Sequence, residues 1–402
     1  MKNLFSNTLF KLLLGVIVGI CIGFLMPRSL VGVLLSIRHI CGQFIFFLVP
    51  LIILGFVAPS IAKLQDNASH LLSKALIYAY VSTVGAGFFA LILGYLILPS
   101  MQIMPAVESI RELPEMIFRL DIPPIMGVMS ALVLAVFIGL SVVWIRSDLY
   151  VKLLTDFQEM VLHLVKRILI PLLPFFIAAN FAILAYEGAI TEILPIFLKV
   201  LVVVLVGHFV WLALLYSIAG LVTRRNPILV LKHYGPAYLT AVGTMSSAAT
   251  LGIALECMAK SKQVHPKIWN FSIPLFANIH LCGSVLTEVF FVMTVSLIIY
   301  GALPSFTLMV MFVFLLAVFG IGAPGVPGGT VVASLGLIVA LLGFNESATA
   351  LLITIFALQD SFGTACNITG DGALTLMLSK GEEQIDPNMP ADGWDEISPV
   401  SE

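Results

Sequence analysis

Uninterrupted apolar segments of about 18 residues or more recur along this chain of 402 residues and leave few folds open to it. A helix rises about 1.5 Å per residue, so ~20 apolar residues cross the hydrocarbon of a bilayer. Only 10% of the residues are charged, against about 25% in soluble domains. The pattern predicts an all-α polytopic membrane protein and argues against a β-barrel, whose strands alternate in short segments.

The regular apolar runs predict continuous helices, over residues 8–26, 31–62, 72–100, 125–146, 155–188 and 191–223. Lys and Arg concentrate in alternate connections, so the positive-inside rule places the N-terminus and Lys380 in the cytoplasm. We expect a multi-pass protein of the inner (plasma) membrane, surrounded by lipid and without a basic patch for nucleic acid. The acidic, proline-containing segment 381–402 predicts a disordered cytoplasmic tail.

Two later apolar segments, 236–258 and 307–343, are interrupted by Gly, Pro and Ser. Within hydrocarbon, irregular backbone persists only where it is buried in protein or lines a cavity, and paired interrupted segments indicate a transporter binding site. We predict two re-entrant hairpins, each followed by a spanning helix, 266–300 and 347–379. Such a repeat predicts inverted halves that meet at a midplane site.

One face of the last predicted helix carries Asp360, Thr364, Asn367 and Asp371. At about 100° per residue, steps of four, seven and eleven return to the same face. Ionisable side chains inside a membrane are costly and indicate a functional site, although they also serve to cap broken backbone. Residues 268–379 contain no Lys or Arg. We therefore expect the compensating cation to be a metal ion, a proton or a cationic substrate group.

The tips of both predicted hairpins offer groups for ligands. The segment 320–329, GIGAPGVPGG, frees backbone carbonyls that suit a sodium ion and N–H groups that suit a carboxylate. At the other tip, Ser246 and Ser247 add hydroxyls that can bind either.

Four segments make the chain resemble the dicarboxylate/amino acid:cation symporter family, the glutamate and neutral amino acid transporters. They are 47-FLVPLIILGFVAPSIAKL-64, 246-SSAATL-251, 325-GVPGG-329 and 364-TACNITGD-371. The resemblance implies eight transmembrane helices plus two re-entrant hairpins, inverted repeats, a homotrimer and an elevator-type motion. It implies a transporter rather than an enzyme, with no organic cofactor and with Na⁺ as coupling ion.

The resemblance also divides the chain into parts that move and parts that stay. Helices 1–2 in residues 1–71 and helices 4–5 in residues 101–190 would form the scaffold. Helix 3 in residues 72–100 would join residues 191–380, which hold helix 6, hairpin 1, helix 7, hairpin 2 and helix 8, in the transport domain. The tail would be 381–402.

Matched position by position, the resemblance gives Asp360 the substrate amino group and Asn367 the substrate carboxylate. Asp371 would be the anionic sodium ligand, with Asn367 and the backbone carbonyl of His280 beside it. The remaining substrate-binding positions would hold the carboxylate, line the site or close the outer gate: Ser246, Ser247, Ser284, Gly325, Val326, Gly363 and Thr364.

Two departures from the family pattern decide the details. Gly363 stands where transporters of acidic amino acids carry an Arg, so a neutral substrate is favoured. His280 and Cys282 replace an Asn and an Asp of the break at 280–284, and Ala86 and Gly87 align with two hydroxyl ligands. A hard cation prefers oxygen ligands. Because these replacements remove oxygen ligands, we expect one sodium site to be lost.

His280 has two interpretations: a titrating group that couples transport to protons, with Glu288 as partner, or a neutral core histidine. The favoured function is a secondary active symporter of a neutral amino acid coupled to sodium, with protons as a further coupling ion. The alternatives are an acidic amino acid or dicarboxylate symporter with altered ion coupling, a non-transporting substrate-binding sensor, and a channel. An aspartyl hydrolase is disfavoured because Asp360 and Asp371 would lie about 16 Å apart along one helix.

Overall fold

The computed structural model describes residues 8–62, 70–101, 113–321, 323 and 328–381. Regular structure in these ranges is helical, and they contain no strand. The all-α prediction is therefore confirmed. The predicted tail beyond 381, and Gly325 and Val326 of the second tip, lie outside the described residues.

The first half of the chain consists of long helices. They are α1 (Thr8–Leu25), α2 (Arg28–Ala62), α3 (His70–Ile97), α4 (Val128–Ile145), α5 (Asp148–Leu164), α6 (Ile170–Glu187) and α7 (Ile190–Thr223).

The helix predicted at 155–188 begins earlier than its apolar pattern indicated. A single π-turn, Val165–Leu169, joins α5 to α6, so helix runs from Asp148 to Glu187. The polar residues Asp148 and Lys152 hid its first turns, because an apolar run detects only the part of a helix that is apolar all round.

The second half contains shorter helices separated by breaks. They are α8 (Ile228–Leu231), α9 (Gly235–Thr244), α10 (Ser247–Ser261), α11 (Pro266–Ile279), α12 (Cys282–Tyr300), α13 (Phe306–Ile321), α14 (Gly329–Leu342) and α15 (Glu346–Leu378). The pairs α9–α10 and α13–α14 each pack against each other; we call them hairpin 1 and hairpin 2. The break expected at 280–284 begins where α11 ends, and α12 starts within it, at Cys282. Each of the two segments predicted to form a hairpin contains a pair of packed helices.

Helix α15 is the centre of the second half. It packs against α12, α7, α11 and both arms of hairpin 1, and nearly all of its side chains are buried. Helices α2, α4, α5 and α6 pack on one another elsewhere, and α1 lies along α6. The two helices approach closely at Gly15, where an added Cβ would lie 2.8 Å from Pro174 O. Small residues allow helices to approach in this way.

Six helical segments within the described ranges are long and apolar enough to span a membrane. They are Arg28–Pro59, Leu71–Met101, Asp148–Glu187, Ile190–Thr223, Pro266–Tyr300 and Glu346–Leu378.

Candidate functional site

The break between α11 and α12 exposes the first N–H groups of α12, which have no partner within that helix. Asn367 of α15 supplies an acceptor for two of these groups: Gly283 N and Ser284 N donate to Asn367 Oδ1 at 2.7 and 3.2 Å. Asn367 Nδ2 donates to Ser284 Oγ at 2.9 Å. The amide oxygen thus uses both lone pairs on α12. In this arrangement Asn367 has N–H to offer a carboxylate, whereas its oxygen has no lone pair for a sodium ion.

His280 occupies the break itself and is fully buried. Its Nδ1 lies 2.8 Å from Asp371 Oδ1, and its Nε2 lies 2.9 Å from Ser82 Oγ on α3. An imidazole of the chain therefore contacts this carboxylate directly, and it supplies a positive charge there when it takes up a proton. The two residues lie 91 positions apart in the sequence, so no local pattern joins them.

The hydroxyl groups of α3 at the break belong to Ser82 and Thr83. Besides the contact of Ser82 with His280, Leu281 N donates to Thr83 Oγ1 at 3.4 Å. Ala86 and Gly87, which the family resemblance aligns with two hydroxyl ligands, lie about one helical turn further along α3. Gly87 instead faces α13, since a Cβ there would meet Val313 Cγ1 at 2.7 Å. The serine–threonine pair inside an apolar helix was the available signal.

Glu288 is not the partner of His280, contrary to one expectation from sequence. It is fully buried on α12, where the Ser334 hydroxyl of hairpin 2 donates to its Oε1. Its Oε2 has no hydrogen-bond partner among the described atoms. His280 lies just before α12, and Glu288 lies on α12 about two turns further along, so the two side chains contact different neighbours. Through Ser334, Glu288 ties α12 to the second arm of hairpin 2.

Asp360 connects α15 to the tip of hairpin 2. Gly328 N donates to Asp360 Oδ2 at 2.7 Å, and Gly328 has φ 72°, a conformation that favours glycine. The side chain of Asp360 is 4% exposed. Its carboxylate is therefore almost fully enclosed by the protein.

The tip of hairpin 1 is built by its own serine. Ser246 is the N-cap of α10, with its Oγ accepting from Ala249 N at 3.3 Å, and Thr250 Oγ1 donates to Ser246 O at 2.9 Å. Ser247 is buried in the first turn of α10. The helix end points its N–H groups out of the tip, which is an arrangement that suits an anion.

Gly363 lies where α15 touches the first turn of α12. A Cβ there would sit 3.4 Å from both Cα and N of Ser284, an ordinary van der Waals contact. Thr364, the next residue, is buried at 6% exposure. The backbone of α12 thus occupies the space beside Gly363. Residues 268–379 contain no Lys or Arg.

A sodium ion has one clear candidate ligand in this set. Asp371 Oδ2 is buried and has no hydrogen-bond partner in the described part of the chain, which fits the oxygen donor that a hard cation needs. Asn367 Oδ1 does not fit while it accepts from α12. No group of three or more His, Cys, Asp or Glu that could hold a metal ion occurs among the described residues.

Comparison with known proteins identifies the family of the chain. The sequence profile of the sodium:dicarboxylate symporter family matches residues 8–381. The chain belongs to that family. It is 25% identical to human excitatory amino acid transporter 2 over 296 residues, 68% of this chain and 50% of that protein. It is 30% identical to an excitatory amino acid transporter of Caenorhabditis elegans over 149 residues, 37% of this chain and 29% of that protein.

The chain thus spans half or less of the length of these curated relatives. The resemblance drawn from 246–251, 325–329 and 364–371 is confirmed as a family assignment. The family is one of transporters and not of enzymes.

Proposed function

We propose that the chain is a secondary active symporter of a neutral amino acid, coupled to sodium. The observation that carries the proposal is Asp360, a carboxylate held against the tip of hairpin 2 in a stretch, residues 268–379, that contains no Lys or Arg. A substrate ammonium group is the natural partner for such a carboxylate. The same carboxylate accepts the Gly328 N–H, so Asp360 would contact both the bound substrate and the tip of hairpin 2.

The substrate carboxylate would be held by donors that face the same region. Asn367 Nδ2 and the hydroxyls of Ser247, Ser284 and Thr364 are the candidates, with Ser246 at the tip of hairpin 1. Gly325 and Val326 of the second tip remain part of the proposal from family likeness.

Gly363 supports a neutral substrate. A second carboxylate on the substrate would need a cation, and Gly363 offers only a bare contact with α12. The similar proteins of human and Caenorhabditis elegans are named for excitatory amino acids, so transport of an acidic amino acid or dicarboxylate with altered ion coupling is the competing function.

Sodium would be held by Asp371 through Oδ2, with the backbone carbonyl of His280 nearby and with Asn367 only if its amide releases α12. When bound, the ion supplies positive charge to a buried carboxylate. The contacts of His280 leave room for proton coupling as well. With Nδ1–H donating to Asp371, the Ser82 hydroxyl donates to a neutral ring and accepts from a charged one, so both protonation states are accommodated. Glu288 is the second candidate for proton coupling.

The wider architecture is proposed from the family. Residues 1–71 and 101–190 would form a scaffold and residues 72–100 and 191–380 a transport domain, in eight spans plus hairpins 1 and 2. An elevator motion, a homotrimer, and cytoplasmic termini in the inner (plasma) membrane complete the proposal.

The decisive experiment is uptake by purified protein in liposomes. Amino acids are scanned under an imposed sodium gradient and, separately, under an imposed proton gradient. We expect sodium-driven accumulation of one or more neutral amino acids. Accumulation of aspartate or glutamate instead would establish the competing function. Saturable binding without accumulation would identify a sensor, and ion currents without accumulation a channel.

A further inference from the structure

A charged cluster outside the candidate site joins the start of α15 to α2. His39 of α2 has a buried side chain, 4% exposed, and each ring nitrogen faces a carboxylate. Nδ1 lies 3.1 Å from Glu346 Oε1, and Nε2 lies 3.3 Å from Asp121 Oδ1 at ion-pair distance. Glu346 is in the first turn of α15, and Asp121 is in the connection before α4. The histidine thus contacts two segments that are far apart in sequence.

The connection before α4 is fastened along one face of α2. Phe118 N donates to Ser36 Oγ at 3.0 Å, and Ile122 N donates to Gln43 Oε1 at 2.9 Å. Ser36, His39 and Gln43 recur at steps of three and four, which place them on one face of a helix. This half of the cluster is therefore fixed to α2, whereas Glu346 is its member from the second half of the chain.

Other charges surround the ring on every element that packs there. They are Arg38 of α2, which interacts with Glu346 and with Glu187 of α6, and Arg119, whose Nε lies 3.0 Å from Asp121 Oδ2. The hydrogen bond from Arg119 lowers the pKa of Asp121 below its ordinary value. Asp121 therefore stays ionised at a mildly acidic pH at which a histidine takes up a proton.

We propose that His39 is a positioning residue for transport, whose protonated ring holds the start of α15 against α2. A neutral imidazole has one N–H and can donate to only one of the two carboxylates, whereas an imidazolium donates to both. Protonation of the ring therefore strengthens the contact with Glu346, and loss of that proton weakens it. The inference rests on the proposed function, because it takes α2 as stationary and α15 as moving.

We call the contact between His39 and Glu346 the latch. Its place along α2 indicates which position of the transport domain it favours. His39 is eleven residues beyond Arg28, about 16 Å along α2 from its start. In the proposed topology α2 and α15 both begin on the non-cytoplasmic side. The latch holds the start of α15 at that level of α2, so acidic pH favours the position of the transport domain that this structure shows.

The test measures the distance between α2 and α14 in liposomes with pulsed electron paramagnetic resonance. Nitroxide labels go on Val33→Cys and Val339→Cys, both exposed positions, after Cys21→Ser removes the exposed native cysteine. Spectra are taken under a mildly acidic condition, about pH 5.5, and a mildly basic one, about pH 8. From the usual size of an ion pair, we expect the short-distance population to rise about two- to fivefold at the lower pH.

Two variants and one control decide the outcome. His39→Gln and Glu346→Gln should remove the pH dependence, and Glu346→Gln changes a half-exposed side chain, so it tests the latch even if His39→Gln fails to fold. His163→Gln is the control, because that exposed ring contacts only Glu159 O of its own helix, and it should keep the dependence.

A distance distribution that ignores pH, or pH dependence that survives in Glu346→Gln, would overturn the proposal. Amino acid uptake is measured in the same liposomes. A pH-dependent distance without uptake would refute the proposed function and leave the latch standing.

Discussion

Two carboxylates on one face of α15 are held in different ways. Asp360 accepts an N–H from Gly328, in the backbone of the hairpin 2 tip, at 2.7 Å. Asp371 faces the ring of His280 at 2.8 Å, and Ser82 holds that ring from behind. A partner in an irregular tip can leave when the tip moves, whereas a ring packed between two helices cannot. The comparison separates Asp360, whose partner lies in a hairpin tip and which we propose as the substrate anchor, from Asp371, whose partner is a ring packed between helices.

Removing the charge of Asp360 should have the largest effect. Asp360→Asn is expected to lower amino acid uptake about 100-fold or more, because a desolvated ammonium loses its only anion. Uptake in liposomes measures the loss, and thermal unfolding checks that the fold is intact. Glu256→Gln, which removes an exposed carboxylate 3.5 Å from Lys260, should leave uptake unchanged. Normal uptake by Asp360→Asn would remove the substrate role.

Removing the internal partner of Asp371 should act on stability. His280→Ala leaves a buried carboxylate without its imidazole, and breaking such a pair costs about 3–5 kcal/mol. We expect a lower unfolding temperature that recovers more in sodium chloride than in potassium chloride, because an ion can then supply the charge.

A second buried histidine provides the control. Within the described part of the chain, the ring of His208 lies 3.1 Å from Gly283 O and 2.9 Å from Thr287 Oγ1, both neutral groups. His208→Ala should therefore destabilise without gaining sodium sensitivity. Equal sodium responses in the two variants would mean that His280 does not compensate Asp371.

Ser334→Ala tests how firmly hairpin 2 is tied to α12. Its hydroxyl donates to Glu288, so its removal leaves a buried carboxyl oxygen unsatisfied at a cost of about 1–3 kcal/mol. Thermal unfolding should show the loss. Ser217→Ala, an exposed serine that bonds only to Ala213 O within α7, is the control and should change little. Identical curves would show that the pair contributes nothing.

The smallest effect is expected between the two carboxylates, at Gly363. A Cβ there meets Ser284 at an ordinary 3.4 Å, so Gly363→Ala should change stability by less than about 1 kcal/mol and reduce uptake by less than tenfold. Gly283→Ala is the contrast, because its Cβ would lie 2.5 Å from Cys366 Cβ. An unfolding temperature of Gly283→Ala as high as that of Gly363→Ala would contradict the close packing of α12 on α15.

Much of the site was predictable because it lies on one helix. Asp360, Thr364, Asn367 and Asp371 share a face by helical periodicity alone, and the cost of charge in hydrocarbon marked them. Residues from other helices were not predictable in the same way. Ser82 lies 198 positions from His280, and no local pattern joins them.

The sequence by itself determined that the chain is helical and membrane-spanning, because its apolar runs exceed what a soluble core needs and its charge is too sparse. It also determined where the backbone breaks, since Gly and Pro interrupt those runs. Only the tertiary structure decided which groups meet at the breaks: His280 with Asp371, Glu288 with Ser334, and His39 with Glu346. Such contacts depend on how helices pack side by side, and packing is a property of surfaces that no single segment contains.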